Sequence, residues 1–273
     1  MSKLEPVLIE TNKLETRDLK DYMVVVDTDR FQDLHLTISE NDSGQLIVFV
    51  KGNHDFNLYI AAKPHSNYSI LWIYDETHEY KVNESIELFE GAHLLYYIAE
   101  LSHQNVIRKS AVKLTGRHSN FHLRSASVVS GIVDWNQQII HHAPHTYAHV
   151  QNYGMVYSGA QYLLDVQSHI LKGMKKSETH QQNRIMNMDD KPRARVFPQL
   201  IIDENDVKAS HAATVGQPDP NEIYYLQSRG LDIKTVIRLL SLGYVMPVLE
   251  HIKDEAIFNS LAELFESKVL IHD

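Results

Sequence analysis

The sequence predicts a mainly β protein that ends in an α-helical segment. Short apolar runs recur roughly every ten residues from Met23 to Arg124. Clusters of turn-forming residues separate these runs, and after Gln217 the apolar period changes from strand-like to helix-like.

The first run is Met23-Val24-Val25-Val26, and Leu34 to Ile38 then alternates apolar and polar residues. Leu46 to Val50, Phe56 to Ile60, Ser69 to Tyr74, Ser85 to Phe89 and His93 to Ala99 continue the series. Val106 to Leu114, Asn120 to Ser130 and Gln137 to His141 extend it. The pattern weakens from Gly154 to Leu171 and is expected to end near Ala194-Arg195-Val196-Phe197. The separators Asn41-Asp42-Ser43-Gly44, Gly52-Asn53-His54-Asp55 and Pro64-His65-Ser66-Asn67 supply left-handed backbone or local side-chain bonds. Many short strands without intervening helices fit a sandwich, a barrel or a parallel β-helix, and spacing does not choose among them. No strict repeat settles it.

Asp219-Pro220-Asn221-Glu222 reads as a helix start: Asp219 caps, Pro220 suits the first helical position, and Glu222 has capping-box spacing. This helix, Pro220 to Ser228, should stop at Gly230. A second begins near Asp232 with Val236, Ile237, Leu239 and Leu240 on one stripe, and Gly243 and Pro247 are expected to bend or interrupt it. A third starts at Asp254 and spaces Ile257, Phe258, Leu261, Leu264 and Phe265 along one face. Fewer than about 60 residues make a thin core, so these faces must dock on the β part or on a partner. The expected division is a short N-terminal segment over 1–22, a β core over 23–217 and helices over 218–273.

The chain has 273 residues, 43% of them hydrophobic, enough for a sizeable core. No run of about 18 apolar residues exists, and Met1 to Thr11 lacks the order of a signal peptide. A cytoplasmic protein with no membrane partner is expected. A net charge of −9 argues against a nucleic-acid partner. One local exception, Lys172 to Arg195, holds seven basic residues (Lys172, Lys175, Lys176, Arg184, Lys191, Arg193, Arg195) against three acidic ones. It reads as a solvated loop or edge. The absence of cysteine excludes disulfides, thiolate nucleophiles and cysteine-held metal sites from this chain alone. Histidine, with 17 residues, is abundant.

Asp206-Val207-Lys208-Ala209-Ser210-His211-Ala212-Ala213-Thr214-Val215-Gly216 resembles the C-terminal signature of SufD proteins, Asp-Val-Lys-Cys-Ser-His-Gly-Ala-Thr-Val-Gly. Glu222 to Leu231 is similar to that family's Phe-Tyr-Leu-x-Ser-Arg-Gly helix. His142-Ala143-Pro144-His145-Thr146 is similar to its Asn-Ala-Pro-His-Thr, and Pro198-Gln199-Leu200 matches its Pro-Gln-Leu. These segments fall in family order over residues 132 to 245. The chain is identified as a member of the SufB/SufD family of iron–sulfur cluster assembly scaffolds. Within it, Ala212 after His211 and the lack of cysteine favour the SufD branch, because SufB-like chains carry glutamate there and use cysteines. For the fold, the resemblance implies a right-handed parallel β-helix followed by a C-terminal helical segment. It also implies that the N-terminal helical region of longer relatives is shortened here.

Residue by residue, the resemblance carries over Lys208, Ser210 and His211 as the cluster-assembly interface with a SufB-like subunit. An imidazole can ligate ferrous iron or move a proton near neutral pH, so His211 is also the candidate metal ligand. The bland alternative is an interface histidine that only hydrogen-bonds. Ala209 departs from the family's cysteine, so any thiolate must come from the partner. No stably bound cofactor is expected; iron or a nascent cluster would sit at the subunit interface. Tyr224, Tyr225, Leu226, Arg229 and Gly230 are carried over as the docking site for a SufC-like ATPase, against the alternative that they pack on this chain's own strands. Neither G-x-x-x-x-G-K-[ST] nor G-x-G-x-x-G occurs, so ATP hydrolysis belongs to a partner. The expected function is a non-catalytic scaffold, which as an isolated chain could form homodimers. The alternative is a histidine-ligated metal enzyme on a cupin-like β-sandwich. It rests on the histidine count and the strand texture; the cluster His141, His142, His145 and His149 lacks the His-x-His and following Glu of a cupin site and reads as β-helix turn and surface positions.

Overall fold

The computed structural model describes residues 6–19, 22–75, 78–188 and 193–269. Lys191, of the basic stretch, lies outside the described residues, as do 1–5, 20–21 and 270–273 at the chain ends and in the N-terminal segment.

The strands in chain order are β1 (Val7–Leu8), β2 (Lys13–Glu15), β3 (Met23–Asp27), β4 (Asp33–Ile38), β5 (Ser43–Lys51) and β6 (Phe56–Ala62). They continue with β7 (Asn67–Tyr74), β8 (Tyr80–Leu88), β9 (His93–Glu100), β10 (Val106–Leu114), β11 (Asn120–Val129) and β12 (Ile132–His141). The last five are β13 (Tyr147–Val156), β14 (Gln161–Ile170), β15 (Glu178–Asn187), β16 (Ala194–Ile202) and β17 (Lys208–Gly216). Odd-numbered strands form sheet A and even-numbered strands sheet B, each in sequence order. Every pairing is parallel. The chain therefore winds alternately through two facing sheets, one rung per turn, as a parallel β-helix. This excludes the sandwich on which the enzyme alternative was built.

The rung is not of constant length, which is why no repeat is visible in the sequence. Val24 pairs with Val48 and Val48 with Trp72, 24 residues on each time. The spacing grows to 27 between Ser125 and Asn152 and 31 between Asn152 and Asn183. One corner is nevertheless repeated on six successive rungs. Asn41, His65, Gly91, His118, His145 and Lys176 all have φ between 57° and 62°. Their N–H groups help stitch rungs together: His65 donates to the Glu90 carbonyl at 2.8 Å and His145 to that of Lys175 at 2.9 Å. Histidine tolerates left-handed backbone better than most residues, so part of the histidine excess is corner chemistry.

Alternate residues fill the lumen: Phe56, Leu58, Ile60 and Ala62 on β6, and Leu34, Leu36 and Ile38 on β4, are buried. This is the period-2 pattern read from the sequence. Two elements depart from the sequence expectation. The strands do not end near Phe197, because β17 follows. Moreover, β15 was not legible, since its inward positions Thr179, Gln181 and Asn183 are polar.

The C-terminal segment holds α1 (Pro220–Ser228), α2 (Ile233–Val245), a 3-10 turn (Met246–Leu249) and α3 (Glu255–Val269). Asp219 caps α1 through Asn221 N–H at 2.8 Å, and Asp232 caps α2 through Thr235 N–H at 2.8 Å. Gly243 does not interrupt α2; the break comes at Pro247, inside the 3-10 turn. Val245, Val248, Leu249, Ile257, Leu261 and Phe265 pack on outward apolar residues of sheet A, among them Leu71, Ile73, Ala126 and Met155. The apolar face thus docks on the chain's own strands, whereas α1 buries no residue.

Candidate functional site

The last rung is open. Among the described residues, strand β17 pairs only with β15, and β16 only with β14, so both leave one edge of backbone groups at the same end of the solenoid. Every residue of β17 is exposed. Lys208 N–H donates to the Ser177 carbonyl at 3.1 Å, and N–H direction alternates along a strand. The N–H groups of Ala209, His211, Ala213 and Val215 therefore face the free edge.

Register separates the three carried-over signature residues. His211 sits opposite Gln181, a buried luminal residue, so it lies on the inward register at the mouth of the lumen. Lys208 and Ser210 lie on the outward register. Lys208 Nζ pairs with Glu178 at 2.8 Å, and Ser210 Oγ lies 2.7 Å from His180 Nδ1. Ala209 shares the inward register with His211 and brings no donor atom. Around the mouth stand Val196, Pro198 and Leu200 of β16, the inward residues of the segment containing Pro-Gln-Leu.

Behind His211 the lumen turns polar, which sequence reading missed. Gln181 donates to Ser168 Oγ at 2.8 Å and to the Gln199 carbonyl at 3.1 Å. Asn152 is bonded to Gln137, Ser125 and Asn183 at 2.7–3.0 Å. Deeper still, Arg108 forms ion pairs with Glu84 at 2.9 Å and Glu100 at 3.1 Å, with all three side chains buried. Tyr80 donates to Glu100 at 2.6 Å and Tyr96 to Glu84 at 2.9 Å. Burial first, and the neighbouring glutamates next, push both phenols well above their ordinary range, so they remain donors. The signal for this lining was inward polar residues at rung spacing, hidden by the lengthening rungs.

The dense cluster His141, His142, His145 and His149 is not one site. His141 is buried in the lumen with Nδ1 2.7 Å from Thr146 Oγ1, His145 is a left-handed corner, and His149 lies on the outward register of β13. Among the described residues, no group of three or more histidine or acidic side chains stands close enough to hold a metal.

Burial, aided by His142, holds the His141 imidazole down at about 3, against 6.5 for a free one. Below pH 6.5 the unfolded chain therefore takes up a proton that the folded chain refuses. The contribution of His141 to stability is full above that pH and is lost as pH falls toward 3. Unfolding free energy measured between pH 6 and 4 should fall with decreasing pH. In His141→Gln the slope should be shallower by about 1.4 kcal/mol per pH unit; an unchanged slope would show that this group does not contribute.

The five residues carried over on α1 and its cap are exposed or half-buried. Tyr224 is 75% and Tyr225 56% exposed, large values for aromatics in a folded chain. The Arg229 guanidinium lies 5.2 Å from the Tyr225 ring centre, and Gly230 follows with φ 91°. Asn221, Glu222, Tyr225, Leu226 and Leu240 line a cleft of about 420 Å³ between α1 and α2. No helix among the described residues is long and apolar enough to cross a membrane.

Comparison with known proteins agrees with this arrangement. The model of the SUF system FeS cluster assembly SufBD core domain matches residues 24–244. The chain is similar to the iron–sulfur cluster assembly protein SufD of Bacillus subtilis, 32% identical over 136 residues, covering 50% of this chain and 31% of that protein. SufD of Escherichia coli is 30% identical over 95 residues, 35% of this chain and 22% of that protein. An iron–sulfur cluster assembly SufBD family protein of Mycobacterium tuberculosis is 23% identical over 206 residues, 74% of this chain and 24% of that protein. Each match spans under a third of the relative's length. Since the core model matches well over half the chain, including the open rung, the protein belongs to the SufBD family of the SUF iron–sulfur cluster assembly system.

Proposed function

We propose that this chain is a non-catalytic, SufD-like scaffold subunit for iron–sulfur cluster assembly. It pairs through its open rung with a SufB-like subunit and presents α1 and α2 to a SufC-like ATPase. The observation that carries the reading is the free edge of β17 with His211 at the lumen mouth. An unpaired parallel edge is a template for strand addition, and a partner strand there would bury His211. His211 would then face iron or a nascent cluster as cargo, with thiolates from the partner because Ala209 offers none. Lys208 and Ser210 would line the outer rim. In isolation the same edge could join two copies of this chain. The exposed Tyr224 and Tyr225, the cleft beside Leu226, and the Arg229–Gly230 turn suit a helix-docking partner. A cytoplasmic location goes with this reading.

Co-purification with SufB-like and SufC-like proteins of the same organism tests it. The full chain should form the ternary complex. Ala213→Pro removes a free-edge N–H without touching the β15 ladder, and it should lose the SufB-like subunit while melting near the parent temperature. Replacing Tyr224 and Tyr225 together by alanine should lose the ATPase alone. His211→Ala should assemble but support fewer clusters. A full chain that binds neither partner refutes the reading.

A further inference from the structure

The outward face of sheet A carries a histidine ladder that no local sequence window contains. His122, His149 and His180 occupy one register position on β11, β13 and β15, and Ser210 continues it on β17. Ring centres stand 6.0 Å apart from His122 to His149 and 6.2 Å from His149 to His180. The sheet spacing of about 4.8 Å imposes this closeness, so the fold itself places the imidazoles side by side.

We propose that His149 and His180 together bind a divalent transition-metal ion on the outer face of sheet A, each through one ring nitrogen, with water completing the coordination. Imidazole suits zinc, copper, nickel and iron. Two rings sharing a tetrahedral ion through bonds of about 2.0–2.1 Å have centres about 5 Å apart, so side-chain rotations that close about 1 Å suffice. Two features favour this pair over His122 and His149. Ser210 Oγ holds His180 Nδ1 at 2.7 Å, fixing the ring and leaving Nε2 for the ion, the arrangement that metal-binding histidines favour. Glu178 Oε2 lies 3.9 Å from His180 Nε2, and its other oxygen is paired with Lys208 Nζ at 2.8 Å, so Oε2 is the oxygen that faces the ion.

The site borders Ser210 and Lys208 of the proposed rim, but ion binding is measured on the isolated chain without any partner, so its outcome and that of the scaffold reading are distinguishable. Untagged full-length protein titrated with Ni²⁺ by calorimetry should bind one ion. Cu²⁺ at the same stoichiometry should give an electron paramagnetic resonance spectrum with two coupled imidazole nitrogens. His149→Gln and His180→Gln should each weaken Ni²⁺ binding at least tenfold and reduce the coupling to one nitrogen. His35→Gln, on sheet B, should leave both readings unchanged. Parent-like binding by both ladder variants, or equal loss in His35→Gln, overturns the proposal. If either ladder variant melts early, mass spectrometry of the unaltered chain decides: Ni²⁺ should shield His149 and His180, and not His35, from carbethoxylation, and equal labelling with and without metal overturns the site.

Discussion

Replacing Arg108 by leucine should destabilise the protein by about 3–5 kcal/mol, the usual cost of leaving a buried charge without its partner. In this chain two carboxylates are orphaned at once. Glu84 and Glu100 both rely on the guanidinium, whose fork reaches one with each terminal nitrogen. Tyr74 and Trp135 also stack against it, 4.1 and 5.3 Å from its carbon to the ring centres, so packing is lost along with charge. In a chain of this size each kcal/mol is worth about 2–4 °C, and the melting temperature should fall on the order of 10 °C. Arg108→Lys keeps the charge but not the fork and should lose less. Combining Arg108→Leu with Glu84→Gln and Glu100→Gln should recover part of the loss, because the orphaned charges go with their partner. A single variant that melts with the parent would show that the cluster contributes nothing to stability.

Phe265→Ala is the second large effect expected, about 3–5 kcal/mol for emptying a fully buried aromatic site. Phe265 is wholly buried between α3 and the outward face of sheet A. Its loss should loosen the helical segment before the rungs, because the lumen has a separate core built from Val26, Leu36, Ile60, Trp72 and their neighbours. Hydrogen exchange should accelerate in α2 and α3 while β5 to β11 stay protected. Uniform acceleration would mean that helices and rungs unfold as one unit. The position bears on the proposed ATPase docking because α1 hangs from this packed platform without burying any residue of its own.

Particular residues mark how far the sequence could be read. From β4 to β11 inward positions are largely apolar, as in Phe56, Leu58 and Ile60, and strand after strand was legible. At β15 and β17 the inward positions become Thr179, Gln181, Asn183, Ala209, His211 and Ala213, so the alternation fades just where the site lies. His211 was reached through its resemblance to a signature, since composition and spacing held nothing to single it out. Gly243 was expected to interrupt α2 but does not. A glycine inside a helix costs only about 1 kcal/mol, while Val236, Ser241 and Val245 of the same helix are buried. The histidine cluster, read as turn and surface positions, holds a corner residue in His145 and an outward one in His149, while His141 points instead into the lumen.

Local chemistry dictates period, turns and caps. Alternating side chains make strands, Asp219 and Asp232 start helices, and a chain without cysteine offers no thiolate of its own. The facing of the two sheets joins Arg108 to Glu100 and Gln181 to Ser168 across the lumen. Stacking along each sheet dictates what joins residues 24 to 32 positions apart, such as Arg108 to Glu84 and the ladder from His122 to His180. Those contacts run across rungs of unequal length, so no fixed period in the chain encodes them. They exist because parallel hydrogen bonding sets like positions about 4.8 Å apart whatever the length of the loop between them.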